Sequence, residues 1–146
     1  MSRPQQALLA SPEDTEAQFY EALQRGDIEK LMSLWSDDDE IICVHPGGPR
    51  LVGMAASRAA FEAMFANGTI NAQPDKVRRV QTLTTAVHSV LEKIELATAD
   101  GLRAAYVVAT NVYVKTPHGW RMVCHHASPG TAREAQDLSD APSTLH

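Results

Sequence analysis

Cysteine is scarce in this chain, which contains only Cys43 and Cys124 among its 146 residues. Both lie inside apolar runs typical of β-strands, so we expect buried free thiols rather than a disulfide or a redox pair. The sequence has no CxxC pair and no Cys/His spacing suited to a metal. Neighbouring His125 and His126 cannot clamp one ion from a regular strand, because their side chains point to opposite faces. We therefore predict no metal site and no cofactor.

Clustered positive charge and long apolar runs are also missing. The net charge is −5, and the 13 Lys and Arg residues are scattered, which argues against nucleic acid or an anionic membrane as a partner. No run approaches the length of a transmembrane helix, and the apolar patch at residues 7–10 is too short for a signal-peptide core. We expect a soluble, cytoplasmic protein with no nucleic-acid or membrane partner.

Cap and turn signals divide the chain into helix, helix, strand, helix and a meander of four strands. The predicted helices cover about residues 11–25, 27–35 and 54–67, and the strands about residues 40–45, 76–82, 85–97, 103–115 and 120–128. This order predicts an α+β fold, a cone-shaped curved antiparallel sheet with three N-terminal helices packed on one face. We expect residues 1–10 to be a flexible tail, 11–130 a single domain and 131–146 a disordered tail.

The last strand is the most informative segment. Alternation places Trp120, Met122, Cys124 and His126 on one face and His125 on the other. The first face is mostly apolar but ends in groups that donate, accept or titrate, which indicates either the wall of a ligand pocket or a core face whose polar end reaches solvent. The complete predicted interior consists of Trp35, Tyr106, Val108, Thr110, Met122, Cys124 and His126, with His45 near the mouth of the cone.

Three motifs in this order resemble the nuclear transport factor 2-like superfamily. Residues 20–28 with Trp35 resemble its paired opening helices, and residues 44–48 with 51–53 resemble its strand, turn and glycine-opened third helix. Residues 120–128 are similar to the last strand of the SnoaL-like branch, related to polyketide cyclases and ketosteroid isomerases, and of the calcium/calmodulin-dependent kinase II association domain. The resemblance covers about residues 13–130 and implies a cone-shaped α+β barrel, usually a homodimer formed through the outer sheet face.

The resemblance does not settle the chemistry, because this fold hosts enzymes as well as inert binding modules. The general base of the ketosteroid isomerases corresponds to His45, but their oxyanion donors correspond to Phe19 and Thr110. Phe19 cannot donate a hydrogen bond, which argues against steroid isomerisation by that mechanism. The paired Asp-Arg-Asp of the epoxide hydrolases has no counterpart.

In the association domains, arginines inside the cone meet acidic ligands, and the matching position here is Glu92. An anion at that position argues against an acidic ligand and leaves open a contact between Glu92 and His126. The strand itself is ambiguous, because the face with His88 and Glu92 competes with the face that holds Leu91.

Two functions stay open. The first is a SnoaL-like pocket protein with isomerase, cyclase or hydrolase chemistry on an apolar cyclic or carbonyl-bearing compound, in which His45 or His126 carries a proton near neutral pH. The alternative is a non-catalytic ligand-binding or dimerising association module. His45 could instead cap the turn that follows it, and Trp35 and Tyr106 could be plain core aromatics.

A partner subunit is also predicted. The strand at residues 103–115 is apolar on both faces, with Tyr106 and Val108 alternating with Val107 and Ala109. A strand that is apolar on both sides must be covered on both sides. Since the helices cover one side, we expect a homodimer through the sheet.

Overall fold

The computed structural model describes residues 9–131 of the chain. Its elements in chain order are α1 Pro12–Arg25, α2 Ile28–Ser33, β1 Ile42–Val44, β2 Arg50–Val52, α3 Met54–Phe65, β3 Ala72–Gln81, β4 Thr85–Thr98, β5 Gly101–Thr116 and β6 Gly119–Pro129. The α+β architecture predicted from the sequence is confirmed, with the three helices preceding the long strands. None of the helices in this range is long and apolar enough to cross a membrane.

The helix boundaries follow the predicted cap residues. The Ser11 side chain accepts a hydrogen bond from the amide of Asp14 at 3.1 Å, and Pro12 occupies the first turn of α1. Gly26 closes α1 in the left-handed conformation with a φ of 66°, which glycine adopts without steric cost. Asp27 then caps α2 through the amide of Lys30. These local signals set the register of α1, which carries two side chains of the site described below.

The six strands form one sheet in the order β2-β1-β6-β5-β4-β3. The long strands β3 to β6 pair antiparallel as a meander, whereas β1 pairs parallel to β6. β2 has three residues, too few for a period of two to show in the sequence. The sheet curves without closing, and its concave side faces the helices.

A β-bulge in β6 overturns the predicted face of the last strand. Val112 pairs with Cys124 but Tyr113 pairs with Met122, so β6 carries one extra residue at Val123. Side chains beyond a bulge change faces relative to simple alternation. Met122 therefore points inward, but Cys124 is half-buried on the outer side and His126 is exposed. His125, expected to face away from the interior, is buried.

The predicted face of β5 is also wrong. Val107, Ala109, Asn111 and Tyr113 are the buried set on the concave side. The opposite set contains Tyr106 and Val108, which are half-buried, and Thr110, which is exposed. Because both sets are largely apolar, alternation alone cannot choose between them. The interior face of β4 is the one that holds His88 and Glu92.

Residues near both ends of the described range complete the core. The amide of Trp120 donates to the carbonyl of Leu9 at 2.9 Å, and Leu9 is buried, so packing begins two residues before the predicted domain start at Ser11. Trp35 is buried and bridges to Met122 through the backbone. The predicted tails at residues 1–10 and 131–146 otherwise lie outside the described residues.

Candidate functional site

A small cavity lies between the helices and the concave side of the sheet. Its volume is about 50 Å³, whereas sites for drug-sized ligands span about 300–1,000 Å³. A space of this size holds a few water molecules or a ligand of a few heavy atoms. The lining is mostly apolar, with three titratable side chains, and consists of Leu23, His45, Pro46, Phe61, Met64, Ile70, Ala72, Glu92, Ile94, His125 and Ala127.

Glu92 is the acidic group of the cavity. It lies on the concave face of β4, is 4% exposed, and its Oε2 accepts a hydrogen bond of 2.6 Å from the hydroxyl of Tyr20. Burial raises the pKa of Glu92 to about 7; the Tyr20 hydrogen bond opposes this shift, and the charge of Glu16 adds to it. The pKa of this carboxyl group therefore lies much closer to neutral pH than that of an exposed glutamate.

Tyr20 and Asn111 hold Glu92 in place. Burial, followed by the negative charge of Glu92, raises the pKa of Tyr20 well above its usual value, so the phenol keeps its proton. The Tyr20 oxygen accepts a hydrogen bond of 3.1 Å from Nδ2 of Asn111. The same Nδ2 lies 3.4 Å from Oε2 of Glu16. The cavity carboxyl is thus linked to a second buried carboxyl through a phenol and an amide.

His125 forms part of the same network from β6. Its Nδ1 lies 2.6 Å from Oδ1 of Asn111, its cross-strand neighbour. Burial, together with smaller contributions from the nearby rings of His45 and His126, lowers the pKa of His125 to about 3. The ring is therefore neutral at physiological pH, and it packs 5.1 Å from the ring of Phe19.

His45 follows β1 and lines the cavity at its edge. Its ring lies 4.8 Å from the Phe61 ring and 6.3 Å from the His125 ring. Nε2 of His45 lies 3.5 Å from Sγ of Cys43, whose pKa burial raises to about 12 with a further contribution from Cys124. Burial lowers the pKa of His45. The His45 ring contacts Cys43 and does not cap the turn that follows it. A backbone hydrogen bond from the Gly48 amide to the His45 carbonyl closes that turn.

A second buried polar cluster lies next to the cavity on α1, β4 and β5. Oε2 of Glu16 accepts hydrogen bonds from Nδ1 of His88 at 2.9 Å and from the Tyr113 hydroxyl at 2.8 Å, besides the contact from Asn111. Burial acts to raise the pKa of Glu16, but the hydrogen bonds from His88, Tyr113 and Asn111, with the charge of His88, outweigh it and lower the pKa. Glu16 is therefore a carboxylate in the folded protein.

The sequence-predicted residues divide into three groups. His45 and Glu92 meet at the cavity, and Glu92 contacts Tyr20 rather than His126. Trp35 and Met122 lie in the core. The remaining predicted residues lie on the outer side of the sheet and are Tyr106, Val108, Thr110, Cys124 and His126.

Sequence reasoning missed Tyr20, Asn111 and His125. Tyr20 follows Glu16 by one helical turn on the buried side of α1, a pairing that could have marked an internal polar face. Asn111 is the polar residue among the buried side chains of β5, and its place within an apolar run could have marked the same polar face. His125 was missed because no sequence pattern reveals the bulge before it.

Within residues 9–131, no three His, Cys, Asp or Glu side chains converge in a way that could hold a metal ion. The titratable groups at the cavity are one carboxyl and two imidazoles, and a phenol and an amide join the carboxyl of Glu92 to the imidazole of His125. Their chemistry is that of proton transfer and hydrogen bonding.

The chain resembles proteins whose structures have been solved. A family model described as a SnoaL-like domain matches residues 13–132. A candidate calcium/calmodulin-dependent protein kinase type II association domain from Thiobacillus denitrificans is 33% identical, with a TM-score of 0.78 over 86% of this chain and 100% of its own. A candidate dehydratase of the NTF2-like family from Streptomyces avermitilis is 34% identical, with a TM-score of 0.73 over 81% of this chain and 93% of its own.

A more distant structure shares the fold alone. The kinase II hub of S. rosetta is 20% identical, with a TM-score of 0.65 over 84% of this chain and 100% of its own. No curated protein matches the chain.

Proposed function

The chain belongs to the SnoaL-like domain family, and from that premise we propose that its cavity binds a small carbonyl-bearing compound and moves a proton on it, with Glu92 as the proton carrier. One observation carries this proposal, namely a buried carboxyl with a pKa of about 7 beside an apolar cavity. A general acid or base is most effective when its pKa lies near the working pH. A candidate dehydratase among the similar structures agrees with proton-transfer chemistry.

The proposed step is balanced without a co-reactant. The Glu92 carboxylate takes the proton from a carbon next to the carbonyl, and the electron pair of the C–H bond moves into the carbonyl to give an enolate. The resulting carboxylic acid returns the proton to another atom of the conjugated system, which completes an isomerisation. Tyr20 occupies Oε2 of Glu92, so Oε1 is the oxygen that carries the transferred proton.

The cavity volume limits the substrate. A space of about 50 Å³ accommodates a compound of a few non-hydrogen atoms, not a steroid or polyketide ring system. A larger apolar cyclic ligand requires the flexible side chain of Met64, or the Phe61 ring, to move aside. We therefore propose a small carbonyl compound as the ligand class.

The sequence predicted that His45 or His126 carries the proton, and only one of these two residues lies at the cavity. His126 is exposed on the outer side of the sheet, whereas His45 lines the cavity. His45 as the proton carrier stays a prediction, and its lowered pKa makes it a neutral hydrogen-bonding group near pH 7. A hydrogen bond from His45 to the substrate carbonyl would stabilise the enolate opposite Glu92.

Solvent deuterium exchange tests the proposal on a panel of compounds, so no single substrate has to be chosen first. We expect the protein to catalyse deuterium incorporation next to the carbonyl of at least one small ketone or hydroxyketone in the panel, followed by NMR. Glu92→Gln keeps the size of the side chain but cannot carry the proton, so the exchange rate should fall by about 10²–10⁴-fold. Glu95→Gln is the matched control, because Glu95 lies on the same strand outside the cavity.

Two results would contradict the proposal. One is exchange in Glu92→Gln at the rate of the unmodified protein. The other is equal loss in Glu92→Gln and Glu95→Gln, which would indicate a general effect on the strand rather than proton transfer by one group.

An association module is the second candidate function. It is favoured by the 33% identity to a candidate association domain and by half-buried apolar side chains on the outer side of β5, including Tyr106 and Val108. In this function the protein is a homodimer through the sheet and the cavity is a ligand site without catalysis. A cytoplasmic location stays a prediction from the sequence. Loss of dimers with unchanged deuterium exchange would separate the two functions.

A further inference from the structure

The side-chain amide of Asn111 contacts three groups of the buried network, on Glu16, Tyr20 and His125. Glu16 determines which way the amide is oriented. A carboxylate only accepts hydrogen bonds, so the group that faces Glu16 must be the amide NH₂. Nδ2 of Asn111 accordingly lies 3.4 Å from Glu16 and 3.1 Å from the Tyr20 oxygen. Oδ1 is left to face His125, and it can only accept.

This orientation determines which nitrogen of His125 carries the proton. Since Oδ1 of Asn111 accepts, Nδ1 of His125 must donate across the 2.6 Å contact. The ring is neutral, so Nε2 has a lone pair and no proton. His125 lines the cavity, and Nε2 is the ring nitrogen left to meet a ligand.

The same logic extends to Tyr20. Its oxygen accepts from Asn111, so its own proton goes to Oε2 of Glu92 at 2.6 Å. Tyr20 consequently offers no proton to the cavity. The polar groups behind the cavity leave an imidazole lone pair and a carboxyl oxygen facing the ligand.

We propose that Asn111 is a positioning residue that makes His125 a hydrogen-bond acceptor at the cavity, so that the site selects a ligand presenting a hydroxyl or N–H group and rejects carboxylates and phosphates. Between His125 and Glu92 an anion would meet a lone pair and a carboxyl oxygen, with a donor only from His45 at the edge of the cavity, and unpaired buried polar groups are costly. Sites built around one required hydrogen bond discriminate strongly against ligands that lack the matching group.

This inference deepens the proposed function and rests on it for the cavity being a ligand site. Combined with that function, it points to a small carbonyl compound that also bears a hydroxyl or amide group. The hydroxyl or N–H would bond His125 while Glu92 acts on the neighbouring carbon.

The first experiment measures the tautomer of His125 without any ligand, by NMR of the two ring nitrogens in ¹⁵N-labelled protein near pH 7. We expect the Nδ1–H form. Glu16→Gln should raise the share of the Nε2–H tautomer, because a Gln amide both donates and accepts and leaves only the Tyr20 oxygen to hold the Asn111 NH₂ group in place. Glu21→Gln is the control, since Glu21 lies on the same helix and is exposed. A dominant Nε2–H form in the unmodified protein would overturn the inference, as would an unchanged tautomer in Glu16→Gln.

The second experiment compares acetamide with acetate, two probes of nearly equal size. We expect acetamide to shift the His125 ring nitrogen signals at least tenfold more than acetate at equal concentration. Asn111→Leu should abolish that preference. If Asn111→Leu does not fold, Glu16→Gln tests the same dependence of the His125 tautomer on the orientation of Asn111. Equal or larger shifts with acetate, or none with either probe, would overturn the selectivity.

The two proposals fail separately. The expected tautomer and acetamide preference without deuterium exchange would support the inference and remove the catalytic function. Exchange that depends on Glu92, together with an Nε2–H tautomer at His125, would do the reverse.

Discussion

At the scale of single residues, burial determines the protonation of the ionisable side chains at the site. Glu92 and His125 are both buried, and burial shifts their pKa values in opposite directions because it disfavours the charged form of each. The pKa of Glu92 is raised to about 7 and that of His125 is lowered to about 3. The result is a cavity with a carboxyl that titrates near neutral pH beside an imidazole that stays neutral.

The stability of the protein should therefore depend on pH through Glu92. Its pKa is raised from 4.5 to about 7, so between these values the folded protein holds a proton that the unfolded chain has released. The contribution of Glu92 to the free energy of unfolding should fall as pH rises from about 5 to 8, by an amount on the order of 3 kcal/mol. Glu92→Gln lacks this contribution, so its stability relative to the unmodified protein should increase over the same range in urea unfolding.

The pKa shift of His125 changes the free energy of unfolding with pH in the opposite direction, so it cannot be mistaken for the effect of Glu92. Its pKa is lowered from 6.5 to about 3, so its contribution is lost as pH falls below about 6.5 and is constant above that value. Comparing Glu92→Gln with the unmodified protein removes it, because both proteins contain His125. A constant difference in stability between pH 5 and pH 8 would show that the pKa of Glu92 is not shifted.

At the scale of elements, α1 supplies both Glu16 and Tyr20, so the order of its first turns controls the buried network. Its caps were predictable, because Ser11, Pro12 and Gly26 act through local geometry that any chain with these residues shares. The strands were predictable as strands but not in their orientation. Val123 adds one residue to β6 and exchanges its faces, and nothing in residues 120–128 distinguishes that arrangement from plain alternation.

The cap of α1 can be tested directly. Ser11 accepts from the amide of Asp14 at 3.1 Å, so Ser11→Ala should lower the free energy of unfolding by about 1 kcal/mol. Ser11→Asp restores an acceptor at the same position and should retain most of the stability in urea unfolding. Equal losses in the two variants would mean that the hydrogen bond does not stabilise α1.

At the scale of the whole molecule, the outer side of the sheet remains to be covered. Tyr106 and Val108 are half-buried there, and a strand with apolar residues on both faces is most stable with both faces packed. The face predicted as the cavity wall is thus the face on which a second copy would pack.

We predict a dimer in sedimentation velocity at micromolar concentration. Val108→Asp places a charge on the outer sheet face and should give a monomer with an unchanged His125 tautomer. Leu83→Asp is the control, because Leu83 is 90% exposed in the turn between β3 and β4 and should leave the dimer intact. A monomeric unmodified protein, or a dimeric Val108→Asp variant, would contradict this prediction.

The sequence by itself determined the fold class, two cavity residues and every element except the short strand β2. Caps and turns are local, and the polar residues His45 and Glu92 stand out within strands that must bury one face. Only the tertiary structure decided which face that is in β5 and β6. Both faces of each strand are largely apolar, so alternation does not distinguish them, and the extra residue at Val123 exchanges the faces of β6. Asn111 and His125 can be buried because α1 and the neighbouring strands provide their hydrogen-bond partners. A buried polar group without such partners would destabilise the fold.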